Sequence, residues 1–204
     1  MGSLFPFNTN WAALRKAQSD VGVINNNLKT VVEYDAGSPG ALDVDRIVVS
    51  TNMIVGAYTI AVGAPLGGGA RNVTVTHTQV GGVTDTLGTI VVVGTDLNDE
   101  TLTETIIPSD GATVQGTKAF KTVTDVTGVG WAIAEGNDTI TVGFGDLIGL
   151  PDKLACNSVL YAIFNGVREA TTPTVTFSAT VLALNTADLV AVLDGSTVAI
   201  AYVV

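Results

Sequence analysis

The chain has 204 residues, of which 47% are hydrophobic and only 14% charged, well under the roughly one quarter charged in an average soluble protein. That balance excludes disorder and a coiled coil, and it implies a buried core. With 9 Lys and Arg against 19 Asp and Glu the formal charge is −10, which argues against nucleic acid as a partner, because affinity for phosphates rests on cationic contacts. No apolar run reaches the length of a membrane-spanning helix. The opening MGSLFPFNTNW lacks the charged and long apolar regions of a signal peptide, so a protein made and used without secretion is expected.

In chain order, residues 1–42 read as an N-terminal arm. Leu4-Phe5-Pro6-Phe7 is an apolar clip held extended by proline, and Asn8-Thr9-Asn10 is placed to cap a short helix from Trp11 to about Gln18. Helices under about 12 residues are marginal alone, so the arm is expected to order against something else. Left in water, Leu4, Phe5, Phe7 and Trp11 would each forgo about 1.5 to 3 kcal/mol relative to burial, which makes them the candidate partner-binding residues. Gly37-Ser38-Pro39-Gly40 marks a linker, and the compact domain is expected from Asp43 to Val204, with a subdivision near 151–157 left open.

From Asp43 onward the pattern has period two. In NVTVTHT, Val73, Val75 and His77 share one face; in DTITVGF, Ile140, Val142 and Phe144 do; in TPTVTFSATVL, Val175, Phe177, Ala179 and Val181 do. Further strands are expected at Arg46–Ser50, Tyr58–Val62, Gly88–Gly94, Leu102–Ile107, Ala119–Val126, Trp131–Ala134, Val159–Phe164 and Val198–Val204. Gly81-Gly82, Asp96–Asp99, Ser109–Gly111, Gly128–Gly130, Gly136–Asp138 and Asp194-Gly195 supply turn chemistry between them. A short helical turn is expected from Thr186 to Leu189, capped by Asn185 or Thr186. Short strands without βα alternation predict an all-β antiparallel sandwich or barrel-like domain with an extended N-terminal arm.

Candidate chemistry is sparse. Cys156 and His77 are the only cysteine and histidine, so one chain can form neither a disulfide nor a Cys/His zinc cage. His77 lies in a Thr-rich strand, no G-x-S-x-G elbow accompanies it, and a packed or interfacial histidine is expected. Asp96, Asn98, Asp99 and Glu100 offer oxygen ligands for weak Ca²⁺ binding, without the spacing of an EF-hand, and read better as a solvated hairpin turn. Replacing Asp96, Asp99 and Glu104 together by amides is therefore expected to shift the melting temperature little. A hydrolase with paired carboxylates would show a pocket holding two acids of different pKa. Gly67-Gly68-Gly69-Ala70-Arg71 leads into a strand, unlike a phosphate-binding loop. No catalytic, cofactor-binding or metal-binding residue is assigned. From Asn72 through Thr117 there is no Lys or Arg but six acids, which together could form an acidic face toward a basic partner surface.

Three segments, DTLGTIVVVGTDLNDETLTETI, GTKAFKTVTDVTGVGW and GNDTITVGFGDLIGLP, resemble a recurrent type of tailed-bacteriophage virion protein, in which a Thr- and Gly-rich strand ending in G-T-D precedes a T-E-T strand, then G-T-K-A-F-K and a G-L-P turn. The resemblance covers about Arg46 to Pro151. It implies a head decoration or cement protein, assembled in the host cytoplasm and carried on the capsid exterior, which binds the major capsid protein and its own copies, as a trimer at three-fold lattice positions. The acidic balance and the lack of a spanning apolar run imply no nucleic-acid or membrane partner. A tail or baseplate component is the alternative within that resemblance, and a β-sandwich carbohydrate-binding module is the alternative outside it.

Overall fold

The computed structural model describes residues 30–204, and these are almost entirely β, as the period-two pattern predicts. The first strand, β1 (Val31–Gly37), is followed by β2 (Asp43–Asn52), β3 (Gly56–Ala57), β4 (Arg71–Thr78), β5 (Thr89–Thr95), β6 (Thr101–Ile106), β7 (Thr113–Phe120), β8 (Thr122–Val129) and β9 (Thr139–Gly149). Strands β2, β9, β4 and β7 lie side by side in one sheet, and β3, β8, β5 and β6 in another, all pairs antiparallel. Alternate residues of both sheets meet in one core that includes Val73, Val75, Ile90, Val92, Val126, Ile140, Val142 and Phe144. Strands with apolar side chains at every second position bury one face this way.

Both seams between these sheets are bridged, which makes the arrangement barrel-like. At the first, β6 and β7 share no ladder. Instead the buried Glu104 reaches across and accepts the backbone N–H of Thr117 at 2.7 Å and its hydroxyl at 3.0 Å, with the Lys118 N–H beside them. Lys118 Nζ donates back to the Thr103 carbonyl at 2.6 Å. Gly116 leaves room for the carboxylate, since a Cβ there would stand 2.6 Å from Glu104 Oε2. At the second seam, the segment after β3 bonds to both sheets: Tyr58 N–H to Val126 and Val123 N–H to Gly63 on one side, Ala61 N–H to Ile47 and Val62 N–H to Arg46 on the other.

Glu104 thus replaces a strand pairing, and Asp96 is buried too, its Oδ1 accepting the N–H groups of Asn98 and Glu100. The premise behind the triple amide variant, that Asp96 and Glu104 are exposed turn carboxylates, is corrected by these two buried side chains. Glu104→Ala alone is expected to lower the unfolding free energy in urea by about 1 to 3 kcal/mol, the cost of stranding buried donors. A loss under 0.5 kcal/mol, the range of ordinary surface substitutions, would show that water takes over the carboxylate's role.

The remaining strands enclose a second core. These are β10 (Val159–Phe164), β11 (Val167–Arg168), β12 (Thr174–Thr176), β13 (Thr186–Asp188) and β14 (Val198–Val203). One sheet has the order β1, β14, β10, β11, while β13 pairs with Ile148 and Gly149 at the far end of β9 and carries β12 on its other edge. Ile148, Leu150, Leu154, Ala162, Ile200 and Tyr202 make this second core. The long β9 serves both cores, and residues 31–204 form a single compact unit.

Several boundaries differ from the sequence reading. The β unit starts at Val31, not Asp43: Val32 and Tyr34 pack against the second core as β1 pairs with the C-terminal strand, and Gly37–Gly40 runs inside the fold as the connection toward β2, with the Gly40 N–H bonded to the Leu66 carbonyl. The expected helix at Trp11–Gln18, like the residues Leu4, Phe5, Phe7 and Trp11, lies outside the described residues. The turn expected at Thr186–Leu189 is strand β13, preceded by a 3₁₀ turn at Leu182–Leu184. Ala119–Val126 is two strands broken at Lys121, Trp131–Ala134 is a single bridge from Ala132 to Thr86, and the run from Thr172 to Leu182 is a strand only over Thr174–Thr176. Tyr58–Val62 bonds to both sheets without being a regular strand. Tertiary bonding overrides the local alternation at each place.

Candidate functional site

His77 stands at the end of β4 with its side chain fully buried. Its Nδ1 accepts the Gly111 N–H at 2.9 Å, so the ring proton sits on Nε2 and is donated to Asp138 Oδ2 at 2.9 Å. Asp138 also accepts the N–H groups of Val80 at 2.6 Å and Asp85 at 2.9 Å, and Asp85 in turn accepts those of Ala134 and Asp138. Burial alone would raise the Asp138 pKa, but the Asp85 and Val80 N–H groups and His77 together hold it below the usual carboxylate range. Both ring nitrogens are engaged, so neither is free to take a proton from a nucleophile. The His-Asp pair ties three loops together, which fulfils the expectation of a packed histidine.

The acid-rich stretch does not gather into one face. Asp85, Asp96 and Glu104 are buried and bonded as described, and Asp99 pairs with Lys121 at 2.7 Å. Among the described residues no group of three or more His, Cys, Asp or Glu side chains is placed to hold a metal ion. The glycine run is a tight turn: Gly67, Gly68 and Gly69 all have positive φ, and a Cβ on Gly67 would meet the Ser38 carbonyl oxygen at 1.7 Å. Arg71 beside it is buried, donates to the Gly40 and Ala41 carbonyls, and leaves Nε and Nη2 without partners. Burial lowers its pKa to about 10, opposed by Asp146 and Asp43, so the guanidinium stays charged at neutral pH and pins the β1–β2 turn.

Two surface clefts among the described residues lie beside exposed aliphatic side chains. One, of about 200 Å³, is lined by Leu42, Asp146, Asp188 and the aliphatic run to Leu193. Burial raises the Asp188 pKa, with Asp146 and Glu169 adding to it. The other, of about 310 Å³, lies at the second seam between Val48–Thr51 of β2 and the segment from Ile54 to Ala61, and no charged side chain lines it. Val49, Ile54 and Val55 around it are exposed, Val49 by 56% and Val55 by 64%. Sequence reasoning missed this cleft, because Val48, Val49 and Val55 carry no signal that distinguishes a core valine from a surface one.

No helix among the described residues is long and apolar enough to cross a membrane. Comparison with protein-family models, with curated proteins and with solved structures finds no match.

Proposed function

We propose that the chain is a structural protein of a bacteriophage particle, a decoration or cement subunit that binds the major capsid lattice from outside as a homotrimer and stabilises the head. A tail or baseplate position is the alternative within the same reading. The observation that carries it is the division of labour in the side chains. The buried acids and the only histidine tie backbone segments together, while the surface presents exposed aliphatic residues and a cleft free of charge, which suits repeated docking against neutral protein surface. Leu4, Phe5, Phe7 and Trp11 are assigned to that docking on the apolar cost of leaving them in water.

The test is to remove residues 1–18 and to measure solution mass by light scattering and co-sedimentation with undecorated heads. The full chain is expected to be oligomeric and to sediment with heads. The truncated chain is expected to lose at least tenfold in affinity. A full chain that stays monomeric and never associates with particles overturns the reading, and specific retention on a glycan array would favour a carbohydrate-binding module.

One arrangement favours a second reading, a hydrolase, because Asp146 and Asp188 share a cleft and the Asp188 pKa is raised. The cleft is smaller than the roughly 300 Å³ of ordinary ligand sites, and its walls are aliphatic with no aromatic platform. The expected result is no glycoside turnover by the wild type. Turnover that disappears in Asp188→Asn would reverse the order of the two readings.

A further inference from the structure

The uncharged cleft at the second seam has an unusual wall. β2 bonds to β9 along one edge, but along its other edge only the Arg46 and Ile47 carbonyls are taken, by Val62 and Ala61. Beyond Ile47 no backbone bond joins this edge to residues 54–61 among the described residues, and the two segments diverge to leave the cleft between Val48–Thr51 and Ile54–Ala61. An open strand edge beside an uncharged slot, whose walls mix Val48, Val49 and Ile54 with Ser50, Thr51, Tyr58 and Thr59, is a template for an added extended segment whose alternate side chains enter the slot.

We propose that this cleft receives the Leu4–Phe7 segment of a second copy of the chain, so that neighbouring subunits are linked by exchanged arms. The inference deepens the assembly reading above and rests on it. Four features favour this occupant. The segment is apolar, and from Gly2 to Leu14 the chain has no charged side chain, matching a cleft that has none. Phe5 and Phe7 stand two apart, so in an extended segment they point to one side, while Pro6, which has no N–H to donate, suits an added edge strand. The two dozen residues between Phe7 and Val31 can span up to ~80 Å when extended, several times the ~16 Å radius of gyration expected for a domain of this length, so reach to a neighbour is not limiting. Asp146 and Asp188 line the smaller cleft and Lys121 lines a shallow one beside Gly68, charges that an apolar arm would have to desolvate there.

The experiment uses the full-length chain with Cys156→Ser to remove the native thiol, which is exposed. One preparation carries Phe5→Cys and another Val49→Cys, at a position whose exposure tolerates the change. Mixed and mildly oxidised, they are expected to give a cross-linked dimer on a non-reducing gel, in at least tenfold higher yield than Phe5→Cys mixed with a control at the exposed Thr105 of β6. A yield equal to the control overturns the proposal, as does a double variant that links only within one chain. If the arm deletion still abolishes binding to heads while no cross-link forms, the cleft assignment falls and the assembly reading stands. A cross-link without any head binding leaves the arm exchange and removes the capsid as partner.

Discussion

Asp138→Ala is expected to lower the unfolding free energy by about 3 to 5 kcal/mol, at the upper end for a single substitution. The side chain is fully buried and accepts from three donors, the N–H groups of Val80 and Asp85 and the Nε2–H of His77. Alanine strands all three, and each unsatisfied buried group costs about 1 to 3 kcal/mol. Guanidinium unfolding at pH 7 measures the loss, and a value under 1 kcal/mol would mean that water replaces the carboxylate. The same site sets an acid limit. Because the folded-state pKa of Asp138 is held below its ordinary value, the stabilisation is fully present above the unfolded pKa of about 3.9 and is lost as pH falls through the lower folded value. Wild-type stability should therefore fall steeply below about pH 4, and the alanine variant, already without this contribution, should show a flatter acid limb. Equal slopes for the two proteins would place the acid sensitivity elsewhere.

Asn185→Ala is expected to cost a similar amount beside the second core. Asn185 is buried, with Oδ1 accepting the N–H groups of Leu154 at 3.0 Å and Ser178 at 2.9 Å, while Nδ2 donates to the carbonyls of Ser178, Val181 and Leu182 at 2.9 to 3.1 Å. Five bonds from one side chain hold three irregular segments that no strand ladder holds. Asn185→Asp separates this polar role from packing, because it keeps the shape but turns an oxygen toward three carbonyls. At pH 7 it should destabilise at least as much as alanine. At pH 4, compared with wild type at the same pH, part of the loss should return as the carboxyl takes a proton and can donate once. An aspartate variant as stable as wild type at pH 7 would show that the donor side of Asn185 contributes nothing.

Much of the fold was legible in the chain itself. Alternation in Asn72–Thr78, Asp138–Phe144 and Val159–Phe164 placed β4, the first half of β9 and β10, because a strand with one face in a core repeats every two residues. Composition implied a substantial core, and the period-two pattern with its turn spacing implied an all-β body. Glycine and Asx residues marked the joints, since positive φ is cheap only for them, and Asp99 and Gly111 do adopt it.

What only the tertiary structure decided is where each polar side chain goes. Asp96, Asp99, Glu104 and Asp110 look alike in sequence, yet Asp96 and Glu104 close turns and seams from inside while Asp99 pairs at the surface with Lys121. A carboxylate is buried only where several N–H groups converge on it, and those donors come from residues 13 to 61 positions away in the chain for Glu104 and Asp138. Likewise β1 joins the C-terminal strand β14 across the whole length of the β unit, a pairing that no local pattern can encode. The second seam follows the same logic. Whether Val48 and Val49 lie in a core or along an open cleft depends on how far apart two distant strands settle, and period and composition are blind to that distance.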